Sequence, residues 1–123
     1  MKAPCKNFWE SLHYALNGLK LSSQEPHFRL MLVCALVAVI AAILLGISLV
    51  EWSILILLIS TILSLETVNT LLEKLCDYLQ PNISPQIKVI KDLAAGAVLI
   101  LCLASLIIAG FIFIPKIINF LVS

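Results

Sequence analysis

Charge is scarce in this 123-residue chain: Asp, Glu, Lys and Arg supply 12% of it, against roughly 25% in an ordinary soluble domain. That shortage excludes a well-solvated globular surface. The net charge of +1 and the lack of any basic run interleaved with aromatics exclude a nucleic-acid partner. Cysteine is sparse and unpatterned: Cys5, Cys34, Cys76 and Cys102 show no CxxC spacing, and two lie within long apolar runs, so they read as small apolar packers rather than metal ligands or bridges. His13 and His27 are isolated, the usual state of a surface or headgroup contact. Asn82-Ile83-Ser84 matches a glycosylation sequon, but Pro85 follows it and the reading below puts it inside the cell, so the match is chance. What is abundant is hydrophobicity, at 62% of residues. The chain reads as an integral membrane protein, and a bundle this small facing lipid is expected to form a homo-oligomer.

Two uncharged runs, Leu30–Val50 and Leu93–Ile114, each meet the ~20 residues that a helix needs to cross the hydrocarbon. A third, Trp52–Leu65, is too short by itself and spans only by continuing through SLETVNTLLE. The fold expected is an all-α membrane protein: an amphipathic surface helix over about 5–21, then transmembrane helices over about 27–50, 52–79 and 85–115. Lys2, Lys6, Lys20 and Arg29 precede the first span and Lys74, Lys88 and Lys91 lie between the second and third, whereas the connection at Gly46–Glu51 has no basic residue. The excess puts the N-terminus and the second loop in the cytoplasm, with Lys116 alone on the far side. The polar leader of nearly thirty residues before the first span does not read as a secretory signal.

In the leader, Phe8, Leu12, Ala15, Leu16 and Leu19 form an apolar face opposite Glu10, His13, Asn17 and Lys20, the pattern of a helix lying flat in the headgroup layer. Ser22-Ser23-Gln24-Glu25-Pro26 breaks that helix and sets Glu25 at the mouth of the first span. Gln80-Pro81-Asn82-Ile83-Ser84-Pro85 ends the second, and Ser84-Pro85 restarts the third, with Lys88, Lys91 and Asp92 in its opening turns. The cluster Ala94-Ala95-Gly96-Ala97 lets helices pack closely, or leaves room for a nucleotide or lipid beside the backbone.

The informative stretch is SLETVNTLLEKLCDYL at 64–79. Glu66, Asn69, Glu73 and Asp77 follow at intervals of three, four and four, which puts them on one stripe of a single helix, about 17 Å long. Coming off a membrane span, that stripe must lie at the inner boundary or face protein. An ion-pair network that fixes helix register accounts for Lys74, Lys88, Lys91 and Asp77. It accounts poorly for Glu66, the deepest carboxylate, with no cation within a helical turn of it. A buried carboxylate so placed is a candidate general base, and Glu25 and Glu73 can supply oxygens to Mg²⁺, which takes one or two protein carboxylates beside phosphate and water.

ExxNTxxExxxD at Glu66–Asp77, KDLAAGAVL at 91–99 and the Glu25-x-x-Phe28-Arg29 element together resemble the prokaryotic diacylglycerol kinase and undecaprenol kinase family over nearly the whole chain. The resemblance implies one lipid kinase domain over 1–123, a homotrimer with composite sites at the inner face of the bacterial cytoplasmic membrane, and transfer of phosphate from MgATP to a lipid alcohol. It makes Glu66 the base toward the lipid hydroxyl and Asn69 the residue that orients the reacting groups. Glu25 and Glu73 become metal ligands, with Asp77, Lys91 and Asp92 in the nucleotide site and Tyr14, Asn82, Ile83 and Ser84 as further nucleotide contacts. Neither a P-loop nor a glycine-rich kinase loop is present, so Mg²⁺ and Lys91 must neutralise the phosphates.

Departures from the family pattern are visible too. Asn7 stands where members commonly carry an arginine, and Gly18–Glu25 looks one residue shorter than usual. Met31 matches neither the histidine common in undecaprenol kinases nor the glutamate common in diacylglycerol kinases. ETVNT and KDLAAGAVL resemble the undecaprenol branch, which makes undecaprenol the expected acceptor and diacylglycerol the alternative. A different class, an ion-coupled carrier subunit or a scaffold, would use the same carboxylates to bind protons or cations.

Overall fold

The computed structural model describes residues 7–79, 82 and 84–123. Four helices carry them: α1 (Phe8–Ser22), α2 (Pro26–Leu45), α3 (Leu49–Leu79) and α4 (Pro85–Val122). The last three are long and apolar enough to cross a membrane, and they pack on one another as a three-helix unit.

Each helix end has a local cause. Asn7 caps α1 by accepting from Glu10 N at 2.9 Å, which gives this departure from the family pattern a structural role. Pro26 opens α2, and Glu25 holds the extended conformation required before a proline. α2 stops at Leu45, five residues before the boundary near 50 expected above, because Gly46 adopts a left-handed φ of 67° and returns its N–H to Ala42 O. α3 then starts at Leu49 rather than near 52, behind a reciprocal cap: Glu51 N donates to Ser48 Oγ and Ser48 N to Glu51 Oε1. Ser84 caps α4 by accepting from Ile87 N. α4 does not end near Pro115 but runs on to Val122, 38 residues or about 57 Å in all. A proline removes one helical donor, and a helix of this length in an apolar setting tolerates that loss.

The buried core is small and lies at one end. Ala42, Ile47, Leu55 and Ile112 cluster around the tight α2–α3 turn, with Trp52, Ile59, Ile108 and Phe113 against them. Lys116 on α4 reaches Glu51 at 3.6 Å and closes the same end. No large side chain among the described residues is fully buried, and Leu36, Ile43, Leu57, Leu103 and Ile107 stand exposed around the bundle. An outer surface this apolar belongs in lipid or against other subunits. The polar stripe of α3 sits at the opposite end, where Phe28, Cys76, Ser22 and Glu66 are buried.

Candidate functional site

α3 carries the stripe. Its helix is unbroken from Leu49 to Leu79, so Glu66, Asn69, Glu73 and Asp77 fall on consecutive turns of one face. Burial changes along it in a useful way. Glu66 is 4% exposed, whereas Glu73 and Asp77 are open. The stripe therefore passes from the protein interior to its rim.

Ion pairs sort the charges. Lys91 on α4 meets Asp77 at 2.6 Å and ties α3 to α4. Lys74 meets Glu25 at 3.2 Å and ties α3 to the α1–α2 turn, while Lys88 pairs with Asp92 along α4. In α2, α3 and α4, Glu66 and Glu73 are the carboxylates in no ion pair. Asn69 lies between them: its Nδ2 donates to Glu73 Oε1 at 3.4 Å, and its Oδ1 is buried without a donor. A buried acceptor is usually matched by a donor, and this oxygen has capacity for one more O–H or N–H.

The turn between α1 and α2 is fixed at the depth of Glu66. Glu25 N donates to Ser22 O, and Arg29 Nε to Ser23 O at 2.7 Å. Buried Ser22 places its Oγ 3.1 Å from Oγ1 of Thr67, the residue after Glu66. Glu25 thus meets α3 at Lys74, as Lys91 meets it at Asp77.

Beneath the stripe lies an apolar cavity of ≈ 320 Å³ between the three long helices. Met31 and Cys34 of α2, Ile62 and Leu63 of α3 and Cys102 of α4 line its site end, and Leu55 and Ile112 lie at its far end against the core. Ile62 and Leu63 are one turn before Glu66. A shallower groove runs along the outside of α4 past Asp92, Gly96 and Ala97. A side chain at Gly96 would meet nothing within 4 Å, so the small residues make room on the surface and not for a neighbour within this chain.

Other candidates from the sequence stand apart. Tyr14 is exposed on α1 with His13 beside its ring, Asn82 is exposed in the loop, and Ser84 Oγ is engaged in its cap. Ile83 lies outside the described residues. Sequence reasoning overlooked Lys74 as the partner of Glu25 and the Ser22–Thr67 bond. These link segments distant in sequence, and no local signal announces them.

Among the described residues no three His, Cys, Asp or Glu side chains gather closely enough to hold a metal by themselves. Glu25 and Glu73 are the carboxylates that could supply oxygens to Mg²⁺, whose shell is usually completed by phosphate oxygens and water: Glu73 is in no ion pair among the described residues and the partner of Glu25 is an exposed lysine.

These features define a multi-spanning membrane protein with a carboxylate site at one end of its bundle and an apolar cavity leading to it. The profile of the family described as prokaryotic diacylglycerol kinase matches residues 13–113. The chain is 36% identical over 110 residues to an undecaprenol kinase of Bacillus subtilis (strain 168), covering 89% of each. It is 32% identical over 96 residues to a diacylglycerol kinase of Helicobacter pylori (strain J99), covering 77% of this chain and 75% of the relative. A diacylglycerol kinase of Sinorhizobium is 29% identical over 109 residues, covering 89% and 80%. The chain belongs to the prokaryotic diacylglycerol kinase family and is a membrane lipid kinase. That sets aside the carrier and scaffold readings.

Proposed function

We propose that this kinase phosphorylates undecaprenol, transferring the γ-phosphoryl group of MgATP to its primary hydroxyl. The carrying observation is Glu66, buried, in no ion pair among the described residues, and one turn beyond Ile62 and Leu63 of the cavity wall. The lipid tail occupies the cavity and the hydroxyl rises to Glu66. As the hydroxyl oxygen bonds to the γ-phosphorus, the bond to the β-phosphate oxygen breaks, ADP leaves and Glu66 takes the hydroxyl proton. Asn69 Oδ1, buried and unmatched, accepts from the reacting hydroxyl or a bound water and holds it for attack. Glu25 and Glu73 would hold Mg²⁺, which would supply positive charge to offset that of the phosphates. Lys91, steadied by Asp77, contributes to the same neutralisation, and Asp92, Tyr14, Asn82, Ile83 and Ser84 provide weaker nucleotide contacts.

The 36% identity to an undecaprenol kinase favours the polyprenyl alcohol. The cavity favours it too: Ser105 is the one hydroxyl on its wall and already donates to Leu101 O, so the two ester groups of diacylglycerol would lie unmatched there. The N-terminus and the α3–α4 loop are cytoplasmic, in line with the distribution of lysines, and α1 lies on the inner surface of the cytoplasmic membrane through Phe8, Leu12, Leu16 and Leu19, exposed in the single chain. The chain acts as a homotrimer in which a neighbouring subunit covers the open side of the site. The groove at Gly96 and the apolar exterior support that assembly.

The test is to present both lipids in the same mixed micelles at matched surface concentration with labelled ATP and Mg²⁺. The expected result is a higher kcat/KM for undecaprenol. A tenfold preference for diacylglycerol, about 1.4 kcal/mol of transition-state discrimination, overturns the choice of lipid and leaves the kinase intact.

A further inference from the structure

Lys74 differs from Lys88 and Lys91, at the same end of the bundle, in what it holds. Lys88 and Lys91 pair with Asp92 and Asp77, whereas Lys74 Nζ lies 3.2 Å from Oε1 of Glu25, a carboxylate assigned above to Mg²⁺. It also follows Glu73, the second such carboxylate, by one residue on α3. A lysine touching one proposed metal ligand stands beside the place that the cation, and hence the phosphates, must reach. We infer that Lys74 is a phosphate ligand for the nucleotide: it neutralises Glu25 when no nucleotide is bound, and it exchanges that carboxylate for β- and γ-phosphate oxygens when a divalent cation takes Glu25 over.

The inference rests on Glu25 being a metal ligand, and three observations carry it further. The pair is open to water, with side-chain exposures of 68% for Lys74 and 31% for Glu25, and an exposed ion pair is weak enough to exchange. Lysine suits the exchange because its ammonium is a mobile point charge on a flexible stem, with no fixed fork to dismantle. Charge balance also requires it. Five carboxylates (Glu25, Glu66, Glu73, Asp77 and Asp92) lie at this end of the bundle with Lys74, Lys88 and Lys91 and with Lys20 in the last turn of α1, and the nearby Arg29 has its Nε committed to Ser23 O. A triphosphate entering such a field, with no P-loop to receive it, needs every cation that a divalent ion can release.

The experiment follows Mn²⁺ by electron paramagnetic resonance on the full-length chain in detergent, alone and with the non-transferring analogue β,γ-methylene-ATP. In Lys74→Met, Mn²⁺ alone should bind at least as tightly as in the parent, because a competing cation has gone. Its complex with the analogue should bind threefold or more weakly, and Lys74→Arg should restore the parent affinity. Less than a threefold loss overturns the inference. So does weakened binding of Mn²⁺ alone, which would make Lys74 a prop for Glu25 and nothing more. Glu25→Gln separates the layers: if it weakens Mn²⁺ binding while Lys74→Met leaves the analogue untouched, only the role of Lys74 falls. If Glu25→Gln has no effect, the metal assignment falls and Lys74 with it.

Discussion

Ser22 Oγ and Thr67 Oγ1 lie 3.1 Å apart, and the direction of their hydrogen bond follows from a second contact. Thr67 has one hydroxyl proton and donates it to Leu63 O at 2.9 Å, so Ser22 must be the donor in the pair. α1 packs little on the bundle, so this bond at its C-terminal end holds the turn that carries Glu25. The two truncations should therefore be unequal. Ser22→Ala removes a donor from an oxygen that keeps its other contact, for about 0.5–1.5 kcal/mol, whereas Thr67→Val strands a buried hydroxyl, for about 1–3 kcal/mol. Equilibrium unfolding in mixed micelles measures both. Equal losses would mean that Ser22 has another acceptor at hand.

The sequence made some of this legible and hid the rest for identifiable reasons. Spacings of three and four put Glu66, Asn69, Glu73 and Asp77 on one stripe because helical periodicity is local, and Ser84-Pro85 announced the start of α4 in the same way. The α2–α3 turn was readable but was placed too loosely, since Ser48-x-x-Glu51 is a capping box and Gly46 supplies the left-handed residue before it. Pro115 misleads for the opposite reason: the breaker rule reflects a cost in the chain alone, and packing or lipid can absorb it. Lys74–Glu25 joins residues on different helices, and no periodicity reveals such a pair.

Replacing Glu66 with glutamine keeps size and hydrogen bonding but removes basicity. Turnover should fall by ~10² or more, the usual weight of a general base, while nucleotide affinity stays within about twofold of the parent. Glu73→Gln should do the reverse at low Mg²⁺, raising the concentration of metal needed for half-maximal rate. Rapid-quench kinetics and a nucleotide titration on the same preparations separate the two, and near-parent turnover in Glu66→Gln would confine that residue to a structural role.

Topology is best tested at a position that the structure leaves open. Cys76, an obvious choice from sequence, is 5% exposed and is a poor target for a thiol reagent. Tyr78, two residues on, is 83% exposed at the same end of α3. With the native cysteines replaced by serine or alanine, Tyr78→Cys should resist a membrane-impermeant maleimide in intact cells and react in inside-out vesicles. Labelling from outside would reverse the orientation and move the nucleotide site to the wrong face.

The cavity beneath Glu66 gives the last prediction. Ala38 lines it from α2 and packs partly against the core, so a large side chain there projects into the space assigned to the lipid tail, well away from the nucleotide end. Ala38→Phe should raise KM for undecaprenol about tenfold while leaving KM for ATP unchanged, since a blocked tail cannot be compensated by contacts at the phosphates. Overpacking costs about 1–3 kcal/mol, so folding must be checked by thermal melting, and Ala38→Val serves as a milder step in the same direction. A short-chain polyprenyl alcohol, which needs less of the cavity, should lose less than undecaprenol does. If Ala38→Phe folds and handles both alcohols as the parent does, the tail lies elsewhere, along the outer surface of the helices, and the cavity is only a packing gap between them.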